Sequence, residues 1–238
     1  MTTHKPRRGG AVPFGAVATR YVGSTASDYE RVRFGQKWES EHQVIAELLS
    51  FVPEGANVLD IPVGTGRLLP FFKARNLDIH GMDMSLDMIA QAQAKADEAG
   101  TEVKLQKGDI RSLPFADGYF DLVVCMRFLN LVDRKGVEVA LAELARVSNG
   151  KLLVGIRYIA PIADLRPNWG DLVRLASRGI WTVRRLIRGD AVVVQRKQFV
   201  SDLLQRAGLG IVHQRYVERR WDGSDYVLLM LEKQSSGD

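Results

Sequence analysis

Ten consecutive residues, Val58-Leu59-Asp60-Ile61-Pro62-Val63-Gly64-Thr65-Gly66-Arg67, carry the densest chemical signal in this sequence. A short apolar run ends in a carboxylate and passes into a turn with two glycines. Gly64 and Gly66 let the backbone approach a ligand closely, and a helix opening just beyond them presents unpaired amide donors. Seventeen residues after Gly66 stands Asp83, which closes the next apolar run. An acid at that place can accept from both hydroxyls of a ribose. Strand, glycine turn, helix and acid in this register predict a nucleoside-containing ligand at the ends of two neighbouring strands.

The other reactive side chains are few. There are four histidines, His4, His42, His80 and His213, and one cysteine, Cys125. His80 and His213 fall in strand patterns and His42 on a helix, so none is assigned as a general base. Cys125 ends an apolar run, where a thiol acts as a small hydrophobe. A single cysteine excludes an intrachain disulfide and a cysteine-based zinc site. No metal is expected.

The elements that must position these groups follow from periodicity. Trp38–Phe51 reads as an amphipathic helix, with Val44, Ile45, Leu48 and Leu49 at helical spacing. Asn57–Ile61, Leu77–Met82, Val103–Gln106, Phe120–Met126 and Leu152–Tyr158 read as strands. Helices are expected over 66–73, over 85–99 between Ser85 and Gly100, over 137–147 and over 199–207. Asn149-Gly150 reads as a turn, and Ile211–Val217 with Tyr226–Glu232 as a closing hairpin. Alternating strands and helices predict an α/β fold: a doubly wound, mostly parallel sheet of seven strands, with a helical insertion after the fifth. The ligand then belongs at the carboxyl ends of the strands. In 238 residues this is one domain, read as 28–238 with the insertion at roughly 160–195, behind a basic arm over 1–27.

The glycine turn resembles that of the class I S-adenosylmethionine-dependent methyltransferases. Asp60-Ile61-Pro62-Val63-Gly64-Thr65-Gly66 is similar to their acid-then-glycine loop, although Pro62 stands where the first glycine is usual. Gly81-Met82-Asp83-Met84-Ser85 resembles their ribose segment, and Gly108-Asp109-Ile110 their adenine segment. Leu113-Pro114-Phe115 and Phe120–Cys125 resemble the approach to their fourth strand, and Tyr29–Arg33 a segment that covers the cofactor. The resemblance implies S-adenosylmethionine as cofactor. The residues it implies are Tyr29, Arg33, Asp60, Gly64, Gly66, Arg67, Asp83, Met84, Asp109, Ile110 and Met126. Asp109 would meet the adenine amino group and Ile110 the ring.

Methyl transfer is an in-line displacement on an activated carbon, so the protein chiefly aligns the partners and a general base is optional. After the fourth strand comes Cys125-Met126-Arg127-Phe128, with no Asn- or Asp-Pro-Pro-aromatic loop of the kind found in relatives that methylate exocyclic amines of bases. Arg127 and Asn130 are the candidates for orienting a substrate, with capping of the strand end as the alternative. The predicted acceptor is a small or lipid-linked molecule, anionic in one version, with oxygen favoured over carbon or nitrogen. An RNA methyltransferase and a non-catalytic cofactor-binding accessory protein are the alternatives.

Charge supplies one further expectation. The sequence is formally +5, and residues 166–220 hold twelve basic and four acidic side chains. Over 172–188 the apolar residues fall on one side of a helical wheel, with Arg174, Arg178, Arg185, Arg188 and Trp181 on the other. That face suits an anionic membrane surface or an anionic small substrate; nucleic acid is less favoured, because stacking aromatics are few. No run of apolar residues is long enough to span a bilayer. A cytoplasmic location, peripheral to the membrane in one version, is the corresponding expectation. The sequence carries no signature of a particular oligomeric state.

Overall fold

The computed structural model describes residues 36–159, 195–219 and 224–234. The predicted arm over 1–27, the cofactor-covering residues Tyr29 and Arg33, the insertion at 160–194 and its helix over 172–188 lie outside the described residues.

Among the described residues thirteen elements follow one another: α1 (Gln36–Leu49), β1 (Asn57–Asp60), α2 (Leu69–Ala74), β2 (Asp78–Asp83), α3 (Leu86–Ala99), β3 (Lys104–Lys107), β4 (Phe120–Cys125), α4 (Arg134–Val147), β5 (Ser148–Ile159), β6 (Gln195–Arg196), α5 (Lys197–Arg206), β7 (Leu209–Glu218) and β8 (Ser224–Lys233). The main sheet runs β3-β2-β1-β4-β5-β8-β7, and the short β6 pairs with the tip of β5. Neighbours are parallel except β8, which is antiparallel to both β5 and β7. This is the doubly wound sheet expected from the sequence, with the closing hairpin supplying the antiparallel strand.

Both faces of the sheet are covered, which is why its central strands read as continuous apolar runs. Side chains alternate between two cores. Val58, Leu122, Val124 and Leu153 pack under Ile45 and Leu48 of α1, Leu69 and Phe72 of α2, and Ala96 of α3. Leu59, Val123, Leu152 and Leu229 pack under Leu141 and Leu144 of α4 and Leu203 and Leu204 of α5. Each large apolar side chain buried in this way contributes about 1.5–3 kcal/mol.

Local chemistry sets the ends. Ser85 caps α3 by accepting the Met88 amide at 3.3 Å, and Gly100 ends it in the left-handed region at φ 55°. Asp133 caps α4 by accepting the Gly136 amide at 2.8 Å, so the helix starts at Arg134 rather than at Val137. The second helix starts at Leu69 rather than at Gly66, because Gly66 has φ 73° and stands outside any right-handed helix. Strand β5 runs through the expected Asn149-Gly150 turn. The turn chemistry survives as an irregularity: the Ser148 hydroxyl accepts the Gly150 amide at 3.2 Å, and the β4–β5 register shifts beside Phe120.

Candidate functional site

The sheet order reverses direction between β1 and β4, and there the loops that follow the two strands diverge. Such a switch point opens a crevice at the carboxyl ends of the strands. A cleft of about 920 Å³, counted out to its open mouth, occupies that place. Its floor is the Asp60–Thr65 turn. One wall holds Asp83, Met84, Gly108 and Ile110; the other holds Met126, Arg127, Phe128 and Leu131.

The turn is shaped by its glycines. Gly64 and Gly66 sit at φ 57° and 73°. A β-carbon on Gly66 would lie 2.8 Å from Leu69 Cδ1 and 3.1 Å from Ala92 Cα, so this glycine also lets the turn close against α3. Pro62 is not among the described residues of positive φ. The neighbouring amides hold the turn: Ile61 donates to Val124 O at 2.9 Å and Val63 to Met82 O at 2.7 Å.

Asp83 is fixed by the same turn. Its Oδ2 accepts the Gly64 amide at 3.1 Å and its Oδ1 the Ser85 amide at 2.9 Å. Burial raises its pKa, while the Ser85, Gly64 and Met84 amides act in the opposite sense. Asp60, at the end of β1, is 2% exposed, and its Oδ1 has no hydrogen-bond partner among the described residues. Burial pushes its carboxyl up to about 8; Asp83 adds to the rise and the Arg67 guanidinium opposes it. A buried acid aimed into a cleft without a partner calls for a ligand that donates or carries positive charge.

The structure brings Asp60, Gly64, Arg67, Asp83, Met84, Ile110 and Met126 to one cleft, with Gly66 shaping the turn behind them. Asp109 stands at the edge. Its carboxylate accepts the Arg111 amide at 2.9 Å and pairs with the Arg111 guanidinium, which holds it below the usual carboxylate range. Of the two substrate-orienting candidates, Arg127 lines the cleft. Asn130 is buried and accepts the Arg157 amide on its Oδ1 at 2.6 Å, tying the loop after β4 to β5.

The described histidines stand off the cleft lining. His80 packs edge-on against Phe115, Tyr119 and Phe120, and burial lowers its pKa. His213 stacks on Phe51 at 4.0 Å between ring centroids. His42 lies beside Phe71, its pKa lowered by burial. Cys125 is fully buried, which pushes its thiol well up and makes it a poor nucleophile. Among the described residues, no group of three or more His, Cys, Asp or Glu could hold a metal ion.

Sequence reading passed over Glu41. It is fully buried on α1, where Glu41, Ile45, Leu48 and Leu49 make one inward stripe. A carboxylate at helical spacing with three apolar residues was the available signal. Glu41 accepts the Tyr226 hydroxyl at 3.1 Å, faces Arg67 Nη1 at 3.4 Å and takes Arg127 Nε at 2.9 Å. Tyr226 arrives on β8, 185 residues away, a distance no local pattern reveals. Gly155 makes room for it, since a β-carbon there would lie 2.2 Å from the Tyr226 hydroxyl.

Residues 58–150 match the family model described as "Methyltransferase domain". The chain is 36% identical over 116 residues to a phosphatidylethanolamine N-methyltransferase of Cereibacter sphaeroides, a match covering 48% of this chain and 55% of the relative. It is 32% identical over 164 residues to a malonyl-[acyl-carrier protein] O-methyltransferase of Erwinia billingiae, covering 67% and 61%. The chain thus spans less than two thirds of the length of either curated relative. The crystal structure of magnesium protoporphyrin IX methyltransferase from Synechocystis, with bound SAH, superposes with a TM-score of 0.72 at 16% identity, over 93% of this chain and all of that one. At that identity the likeness concerns the fold.

Proposed function

We propose that this chain, which belongs to the class I S-adenosylmethionine-dependent methyltransferase family, binds S-adenosylmethionine in the β1/β4 cleft and passes its methyl group to a small-molecule or lipid-linked acceptor. The observation that carries this reading is Asp83, held by the Gly64 and Ser85 amides at the end of β2 with the buried, unpartnered Asp60 oxygen beside it. The first acid suits a ribose diol and the second a cationic amino-acid end. Met84, Gly108 and Ile110 line the same cleft, and the adenine base is assigned to them. When bound, the cofactor supplies a methyl carbon already activated by a sulfonium.

The chain's own residues bind, orient and exclude water. Asp83 fixes the nucleoside end, and the Gly64–Gly66 turn brings backbone close to the ligand. Met126, Phe128 and Leu131 form an apolar wall on the opposite side of the cleft, which favours an acceptor with an apolar body. Oxygen is the favoured acceptor atom. The names of the two relatives divide between nitrogen and oxygen, and both concern lipid or carrier-linked substrates. No helix among the described residues is long and apolar enough to cross a membrane. The basic residues that the sequence holds over 172–188 are assigned as the candidate contact with anionic lipid. Arg178→Gln with Arg185→Gln should weaken binding to anionic vesicles, and salt should weaken it further, because exposed charges are screened over about 8 Å at physiological ionic strength.

Ligand-dependent stability tests the cofactor assignment. S-adenosylmethionine or S-adenosylhomocysteine should stabilise the protein by about 2.7 kcal/mol at a hundredfold excess over Kd, and NAD should not. Equal stabilisation by NAD refutes the reading. Release of S-adenosylhomocysteine with cell extract, unaffected by nuclease, separates catalysis on a small or lipid-linked acceptor from an accessory role and from an RNA substrate.

A further inference from the structure

On the side of the cleft away from Asp83, one buried carboxylate gathers two guanidiniums. Arg127 and Arg67 both line the cleft, and Glu41 reaches them from behind, out of α1. One Glu41 oxygen, Oε2, accepts from both Nε and Nη2 of Arg127, and this two-donor contact orients the guanidinium. The Tyr226 ring lies against the same group, 5.2 Å from guanidinium carbon to ring centroid, and the Tyr226 hydroxyl donates to the second Glu41 oxygen.

The Arg127 backbone adds an independent observation. Among the described residues only Asn76 and Arg127 have positive φ without being glycine, and Arg127 stands at 57°. Asparagine tolerates that region through its short polar side chain; arginine has no such help. A residue held there persists because its surroundings over-determine it, and such positions cluster at ligand sites. Here the surroundings are Glu41 and Tyr226. They come from α1 and β8, whose Ile45 and Tyr226 share one core with Met126 beside Arg127, and both hold its side chain, which lines the cleft.

We propose that Glu41 is a positioning residue that sets Arg127, with Arg67 beside it, as a receptor for a carboxylate or phosphate in the half of the cleft away from Asp83. The inference rests on reading the cleft as a methyl-donor site. A planar, permanently charged fork matches an oxyanion with paired donors, which a lysine ammonium does not. Two ligands can bring that oxyanion: the amino-acid end of the cofactor, or an acceptor whose apolar body lies along Met126, Phe128 and Leu131.

Titration calorimetry with paired ligands separates these sources. S-adenosylhomocysteine carries the amino-acid carboxylate, and 5′-methylthioadenosine lacks the whole amino-acid end. Octanoate and octanol, added to protein saturated with S-adenosylhomocysteine, form the acceptor-side pair. Glu41→Gln and Arg127→Gln should each weaken the carboxylate member of one pair by about tenfold or more and leave its partner unchanged. Arg127→Lys, which keeps the charge and loses the fork, should recover part of the loss. Selective loss of S-adenosylhomocysteine places the oxyanion on the cofactor, and selective loss of octanoate places it on the acceptor; either supports the assignment. Equal loss within each pair, or no carboxylate-dependent loss in either pair, overturns it and leaves Glu41 a structural tie. Should Glu41→Gln fail to fold, the two Arg127 variants decide. A wild-type protein that binds neither nucleoside refutes the cofactor reading itself, a different result from any of these.

Discussion

Replacing Gly66 and Gly64 separately by alanine tests how the turn is built. Both residues have left-handed backbones, at φ 73° and 57°. An alanine in that region costs about 1–2 kcal/mol at either position. The two sites differ in the space around them. A β-carbon on Gly64 would meet nothing within 4 Å. On Gly66 it would press on the Leu69 side chain at 2.8 Å and on the α3 backbone at Ala92 Cα, 3.1 Å away. The leucine can rotate and the helix backbone cannot, so an overpacking cost of about 1–3 kcal/mol is added there. Gly66→Ala should therefore lose about 2–5 kcal/mol and Gly64→Ala about 1–2 kcal/mol. In a chain of this size these correspond to Tm drops of roughly 6–15 °C and 3–6 °C. Thermal and urea unfolding without ligand measure both. Equal losses, or a larger loss for Gly64→Ala, refute the argument that contact between the turn and α3 makes Gly66 the more demanding position.

Three further outcomes are expected. Burial holds Asp60 up to about 8, so it contributes stability at low pH that is lost as pH rises from about 4 through about 8. Without ligand, wild type should lose stability relative to Asp60→Asn across that window; Asp83 is present in both proteins, so the difference reports Asp60 together with its coupling to Asp83. Parallel unfolding profiles would remove Asp60 as the titrating group. Asp83→Ala should abolish most of the stabilisation by S-adenosylhomocysteine, as differential scanning would show; full retention contradicts its place at the ribose. Asp109→Ala should weaken nucleoside affinity by about 1–3 kcal/mol. It should change unliganded stability by less than about 1 kcal/mol, since its Arg111 pair is partly exposed. The reverse pattern would make Asp109 a structural loop acid.

The sequence disclosed whatever is encoded locally. Ser85 and Gly100 mark the ends of α3 because a hydroxyl cap and a left-handed stop are properties of single residues. The run Phe120–Cys125 announces a strand buried on both faces. Asp60, Gly64 and Asp83 were legible as a site because the turn and the two strand ends that carry them are close in sequence. Ambiguity began where one residue serves two structures: Gly66 reads equally as a helix start and as a left-handed turn, and Asn149-Gly150 as a turn and as an irregular strand opening. Glu41 left a signal in the inward stripe of α1, but its partnership with Tyr226 was out of reach, because it depends on tertiary packing between α1 and β8. Asn130 could equally have faced a ligand or a backbone amide, and its contact with Arg157 was decided by the path of β5.

The position of β8 has a consequence for how the molecule is made. It is the last described strand to leave the ribosome, yet it lies inside the sheet, paired with β5 from Lys151↔Glu232 to Ile159↔Ser224 and with β7 on its other side. Until it arrives, β5 presents the backbone donors and acceptors of Val154 and its neighbours as an open edge, a template for pairing with other chains. The nascent chain thus passes through a stage in which β1 to β5 can already associate while Glu41 and Arg127 still lack Tyr226. Chain synthesis is slow beside strand association, so this stage outlasts the packing of the earlier elements. Cleft assembly and protection from misassembly are then one late event, and a truncation that removes β8 would expose a sticky edge and dismantle the arginine cradle together.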